Sequence, residues 1–566
     1  MNPSAAFLLE SHPGRRPVGA LGYAATGVVL VLLVPIASVL ANVFAPGEGA
    51  WVHLAQTVLP DYVRTTLLLL LGVMLGVAVL GTASAWLVTA FRFPGVRWLE
   101  WALILPLAMP AYVVAYAYTD VLQFAGPVQT ALRELTGWRA RQYWFPDIRS
   151  TGGAILVFSL VLYPYVYLLA RAAFLEQSAN LMQAGRLMGR GAWGAFFRVA
   201  LPLARPAVAA GTSLALMETL ADFGAVSYFG VQTFTTGIYR AWLSMGDSVA
   251  AAQLSAALLA LVAAILFAEQ WSRGRARFYD VMAAGQARPP ELRGAQAAAA
   301  IAVCAVPPLL GFFLPAGILL ALVMTEPEPL FTVRFFGLAG NTFGLAVITS
   351  IAAVLVAALL AYAARLSASR LVATANRLAS LGYAIPGAVI AVGILLPLGR
   401  LDNLIADWMR AQFGLDIGLV LTGSIAALIY AYLVRFLAIA LQTVEAGLGK
   451  IRPSMEDAAR SLGHTPRETL VRVHAPIMRG SVLTAALIVF VDVMKELPAT
   501  FALRPFNFDT LAVQAYNMAK DERLAEAAAA SLVIVAVGLI PLFLLSRSIA
   551  SGRAAGRSSG PGALLT

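Results

Sequence analysis

The sequence predicts an all-α membrane protein of about twelve transmembrane helices, arranged as two tandem six-helix halves related by a pseudo-twofold axis along the membrane normal. Three observations predict it. Of 566 residues, 60% are hydrophobic and 12% charged, with a mean hydropathy of +0.79, whereas soluble domains are roughly a quarter charged. Apolar segments approaching or exceeding the roughly 20 residues that span about 30 Å of hydrocarbon recur along the chain. One loop motif also occurs twice, 274 positions apart from Gly189 to Gly463 and from Pro202 to Pro476.

In the first half the spans are expected at 18–44, 65–91, 99–122, 152–175, 206–229 and 249–270. In the second they are expected at 299–324, 342–364, 379–399, 417–442, 481–500 and 528–546. An even number places both termini on one side. If that side is the cytoplasm, the inner loops and tails hold more than twice as many Lys and Arg as the outer loops, which is the orientation the positive-inside rule selects. The same rule accounts for the net charge of +11, so a nucleic-acid partner is not needed to explain it. The apolar run after Arg15-Arg16 is too long for a signal-peptide core and reads as an uncleaved first span. Cys304 stands alone, so no internal disulfide forms, and it reads as a small buried apolar residue.

The repeat extends beyond the loop. Thr66 and Thr342 head corresponding spans, as do Pro110 in Ala108-Met109-Pro110-Ala111 and Pro386 in Ala384-Ile385-Pro386-Gly387. Tyr163-Pro164-Tyr165 corresponds to Tyr430-Ala431-Tyr432. This divides the chain into a first transmembrane domain at 1–272, a basic linker at 273–298, and a second transmembrane domain at 299–566. Six spans per half start both repeats on the same side, so they are parallel, with a path expected between them.

The loop motif reads Gln183-Ala184-Gly185, three residues, Gly189, nine residues, and Val199-Ala200-Leu201-Pro202. Its second copy reads Asp457-Ala458-Ala459, three residues, Gly463, nine residues, and Val473-His474-Ala475-Pro476. Small residues suit a close helix contact, glycine ends a helix, and proline is expected to break the chain before the next span. The product is a short helix across the mouth of the bundle, open to a partner.

Two acid pairs follow the loops: Glu218 with Asp222, and Asp492 with Glu496. Four-residue spacing would put each pair on one helix face, and acids within spans demand a polar lining or a partner. Lys495 adjoins Glu496 and can neutralise it. The acids read either as lining a pathway or gate, or as buried salt bridges that fix an interface.

The loop resembles the EAA loop of ABC importer permeases, with Gln183 and Gly185 departing from that pattern in the first copy, and Asp457 and the Ala475-Pro476 ending in the second. The resemblance implies two fused type I importer domains. Their partners would be two copies of an ABC ATPase subunit, an extracytoplasmic binding protein and the lipid bilayer. The stretches Glu218-Thr219-Leu220-Ala221-Asp222-Phe223-Gly224 and Lys495-Glu496-Leu497-Pro498-Ala499-Thr500 resemble those of ferric-iron-type permeases, which implies a ferric-iron-binding protein as that partner and the bacterial inner membrane as the location.

No Gly-x4-Gly-Lys-Ser/Thr phosphate loop occurs, so ATP and Mg are expected on the separate ATPase, with no cofactor on this chain. The acids and Tyr163, Tyr165 and Tyr228 offer hard oxygen donors. A tight metal site would impede passage, so no metal site is expected. No nucleophile with its base or metal cluster suggests an enzyme. The same machinery importing thiamine or another small solute stays open as an alternative, as does an ion-gradient secondary transporter, although the latter leaves the duplicated loop unexplained.

Overall fold

Helices make up nearly all of the computed structural model, which describes residues 19–45, 54, 56–139, 142–176, 194, 196–273, 290–326, 329–367 and 369–558. In chain order they are α1 (Ala20–Ala41), α2 (Leu59–Ala90), α3 (Val96–Ala102), α4 (Ala111–Leu122), α5 (Pro127–Thr136), α6 (Thr151–Glu176), α7 (Leu201–Ala221) and α8 (Gly224–Tyr228). Then come α9 (Phe234–Tyr239), α10 (Ser248–Arg273), α11 (Gly294–Pro308), α12 (Leu314–Thr325), α13 (Val333–Leu366), α14 (Arg370–Ala379), α15 (Gly387–Phe413) and α16 (Ile425–Gly449). The last are α17 (Pro453–Ser461), α18 (Pro466–Thr469), α19 (Ala475–Met494), α20 (Pro498–Leu503), α21 (Leu511–Lys520) and α22 (Leu524–Ser558). Among the described residues, 11 helical stretches are long and apolar enough to cross a membrane, or up to 12 if one bent pair counts as a span.

That bent pair corrects the span expected at 99–122. Helix breaks at Pro110, and the segments Val96–Ala108 and Ala111–Thr136 meet at 94°. Proline has no N–H to give to a preceding turn and its ring crowds the carbonyl four residues back, whereas its fixed φ suits the start of the next helix. Pro110, at φ −61° and ψ 140°, is that starting residue. The matching Pro386 likewise precedes α15. The spans expected at 206–229 and 481–500 also end early, at Ala221 and Met494, each before the second acid of its pair.

Close contacts divide the chain into two compact units, and each draws on both sequence halves. One comprises Met1–Trp51, Ile238–Leu259 and Thr332–Val513. At its centre α13, α16 and α19 pack on one another, while α1 packs against α13, α14, α15 and α16. Gly447 makes the approach of α16 to α19 possible, since a Cβ there would lie 2.7 Å from Ser481 Cβ. The other unit comprises Val52–Gly237, Ala260–Phe331 and Gln514–Thr566. Its centre is the corresponding trio α2, α6 and α7, with α11 against α2, while α12 and α22 pack on each other and on α4. Here Gly211 allows contact with α6, because a Cβ would sit 2.6 Å from Val166 Cα. Lipid supplies no hydrophobic drive between helices, so bare backbone surfaces of this kind set how closely they approach.

Candidate coupling loop and intramembrane acids

The second loop copy lies wholly within the described residues. Pro453 starts α17, Glu456 stands in its first turn and Arg460 in its last, each charge opposing the partial charge of its helix end. The helix stops at Gly463, whose φ of +82° is left-handed. Gly463 N donates to Arg460 O at 2.9 Å and His464 N to Ala459 O at 3.0 Å, which are the paired bonds of a Schellman ending. Glycine takes this conformation without the cost a Cβ brings. Ala459 faces inward, 4% exposed, while Asp457 and Ala458 are exposed together with Met455 and Leu462. In the first copy, Gln183, Ala184, Gly185 and Gly189 lie outside the described residues, and Val199-Ala200-Leu201-Pro202 lies within them.

Thr465 and Glu468 form a capping box after the turn. Thr465 N donates to Glu468 Oε2 at 2.8 Å and Glu468 N to Thr465 Oγ1 at 3.3 Å. The Thr465 N–H, together with its hydroxyl at 2.9 Å from the same oxygen, holds the Glu468 carboxyl below its usual pKa. The motif prolines do not interrupt the helices as expected. Instead, five residues before each α-helical resumption widen into a π-turn, Phe196–Ala200 and Leu470–His474. Pro476 cannot supply the N–H of a normal turn, and the wider turn accommodates its ring without leaving helical geometry.

The acid pairs do not share helix faces, since the second acid of each lies past its helix end. Asp222 Oδ1 accepts from Ala225 N at 2.9 Å and Val226 N at 3.3 Å, at the start of α8. Glu496 accepts from Ala499 N at 2.8 Å and Thr500 N at 2.9 Å, at the start of α20. Both carboxylates thus satisfy backbone donors that a helix N-terminus leaves unpaired. Glu218 is half-buried on α7.

Lys495 does not neutralise Glu496. Lys495 Nζ pairs with Asp492 Oδ1 at 2.9 Å, whereas Glu496 Oε1 pairs with Arg435 Nη1 of α16 at 3.0 Å, with side chains 2% and 10% exposed. Thr500 Oγ1 also donates to Glu496 Oε2 at 2.5 Å, and its oxygen lies 2.6 Å from the Tyr432 hydroxyl. Gly387 admits this cluster, since a Cβ there would be 2.8 Å from Arg435 Nη1. Arg435 is the residue that sequence reasoning missed, although a lone base in the middle of a predicted span is a signal that an acid waits for it. Among the described residues, no group of three His, Cys, Asp or Glu side chains is placed to hold a metal ion.

The family model for binding-protein-dependent transport system inner membrane components matches this chain twice, over residues 69–272 and 353–553. The chain belongs to that family. The two matches show the tandem repeat directly, and the permease is an integral, multi-pass inner-membrane subunit of an importer of the ABC type. It is 26% identical over 499 residues to the Fe(3+)-transport system permease protein FbpB 2 of Haemophilus influenzae, covering 86% of this chain and 90% of that one. The molybdenum transport system permease protein ModB of Escherichia coli is 29% identical over 34% of this chain and 83% of its own. The sulfate transport system permease protein CysW of Escherichia coli is 30% identical over 35% and 65% respectively.

Proposed function

We propose that this permease imports ferric iron, delivered by an extracytoplasmic binding protein and driven by two copies of an ABC ATPase that carry ATP and Mg. The observation that carries the cargo is the likeness to the FbpB 2 permease, which runs over 86% of this chain, while the molybdenum and sulfate relatives match about a third of it. The exposed face of α17, with Asp457, Ala458, Met455 and Leu462 ahead of the Gly463 turn, supports docking of an ATPase there. In this reading Gln183, Ala184, Gly185, Gly189 and Pro202 serve a second ATPase copy, and Asp457, Ala458, Ala459, Gly463 and Pro476 serve the first. Both termini are then cytoplasmic. Nucleotide-dependent preference for one of two membrane conformations moves the solute, since only differential binding shifts such an equilibrium.

A second reading, import of an oxyanion, is favoured by the molybdenum and sulfate permeases among the relatives. Uptake of labelled ferric iron, molybdate and sulfate into cells with and without the chain, and with Gly463→Leu, tests both. Iron uptake that needs the chain and fails in the variant supports the iron reading. Chain-dependent uptake of molybdate or sulfate alone replaces it, and uptake indifferent to Gly463→Leu counts against docking through this loop.

A further inference from the structure

The turn joining α16 to α17 is held by a charged joint centred on Arg365, at the end of α13. Arg365 Nη1 donates to Leu448 O at 2.6 Å and Nη2 to Ile451 O at 2.8 Å, carbonyls at and just past the end of α16. Its Nε donates to Glu456 Oε1 at 2.5 Å, in the first turn of α17. One planar guanidinium therefore caps the C-terminus of one span, ends another, and grips the loop helix, a geometry that lysine cannot reproduce. His474 Nε2 approaches the same Glu456 oxygen at 3.3 Å from the π-turn that begins the next span. The His474 ring, 1% exposed, packs edge-on against Tyr362 of α13 at 5.7 Å. The Arg365 and Glu456 side chains are only 18% and 15% exposed, so their attraction is less screened than that of a surface pair.

The first sequence half carries other residue types at the matching positions. By the repeat register, Thr89 stands where Arg365 does, Met182 where Glu456 does, Ala200 where His474 does and Trp86 where Tyr362 does. Thr89 donates its hydroxyl to Ala85 O within its own helix. Trp86 sits among rings, 5.0 Å from Phe196 and 5.4 Å from Phe174. An aromatic cluster yields to small shifts, whereas charge-assisted bonds of fixed direction do not.

We propose that Arg365 is a positioning residue for energy coupling: with Glu456 it locks α17 to the ends of α13 and α16, so that force on the second loop reaches the spans through a rigid joint. The proposal rests on the importer reading above. It treats α17 as a lever whose angle, rather than its docking face, is set by the joint.

The test uses the permease reconstituted with its ATPase and binding protein, comparing Arg365→Met, Arg365→Lys, Glu456→Gln, the double Arg365→Met/Glu456→Gln, and Thr89→Val as the first-half control. Solute moved per ATP hydrolysed is expected to fall about five-fold or more in Arg365→Met, the lower end of ordinary coupling strengths. The double variant should fall no further, Arg365→Lys should recover little, and Thr89→Val should match the unaltered chain. In the permease alone, hydrogen exchange across Pro453–Ser461 should quicken about ten-fold or more in Arg365→Met, as loss of a charged hydrogen bond implies. Unchanged exchange with unchanged coupling overturns the proposal, as does a fall in transport and hydrolysis in equal proportion with the amount of assembled complex. If the unaltered chain shows no ATP-dependent uptake, the importer reading fails, and the exchange result still decides whether the joint exists.

Discussion

Arg435 and Glu496 offer a sharp decision between a structural ion pair and a gate. With both side chains nearly excluded from the surface, removing one partner leaves a buried charge, which costs about 3–5 kcal/mol. In Arg435→Met, Glu496 keeps its bonds from Ala499 N, Thr500 N and Thr500 Oγ1, so the expected cost is at the lower end, about 3 kcal/mol. Glu496→Gln leaves the Arg435 charge without its carboxylate and turns an amide NH2 toward one of the backbone donors, again costing about 3 kcal/mol. Independent effects would sum to about 6 kcal/mol in the double variant, whereas a shared pair predicts about 3 kcal/mol or less. Unfolding of the detergent-solubilised permease across increasing SDS fractions, with monodispersity on gel filtration, measures all three. Additive single-variant losses, or losses below about 0.5 kcal/mol, would refute the pair. Transport that collapses in variants of undiminished stability would instead place Glu496 in a gate.

The equivalent acid should behave differently: Asp222→Asn keeps an oxygen able to cap α8 and should cost only about 0.3–1 kcal/mol in the same assay. At Gly463, where a Cβ would meet open space but φ is +82°, alanine and leucine should destabilise the turn alike, by about 1–2 kcal/mol, and asparagine by less. A graded loss of coupling from alanine to leucine at equal stability would then report bulk at a docking face, and equal losses would report strain alone. The Glu468 carboxyl, lowered by the Thr465 bonds, contributes its stabilisation above its unfolded pKa near 4.3. That contribution is lost as pH falls through the lower folded value. Exchange protection of 465–470, corrected for intrinsic rates, should drop on acidification below about pH 4 in the unaltered chain and be insensitive to it in Glu468→Gln.

Much of the architecture was legible because its causes are local. Span length follows from the solvation of single segments and the doubling from the chain's own repetition, and the family match over two stretches agrees with the doubling. The Gly463 turn was equally readable, since only its own φ decides the residue there. The bend at Pro110 was missed because hydropathy averages over a window and does not see one absent donor. The acid spacing misled for a similar reason. A four-residue interval puts two side chains on one face only while the helix continues, and α7 and α19 both end between their two acids.

By itself, then, the sequence determined a membrane-embedded, duplicated permease with a loop motif after the fourth span of each half, which forms a helix in the second. Those properties reside in composition and in positions near one another in the chain. Tertiary structure alone decided the partners of the buried charges: Glu496 takes Arg435 from 61 positions away rather than the adjacent Lys495, and Glu456 takes Arg365 from 91 positions away. It also decided that α1 packs with the second-half helices while α11 packs against α2 and α12 against α4 of the first half. An apolar helix is indifferent in sequence to which apolar surface receives it. The choice falls to shape and to the few polar groups that must find one another where there is no water.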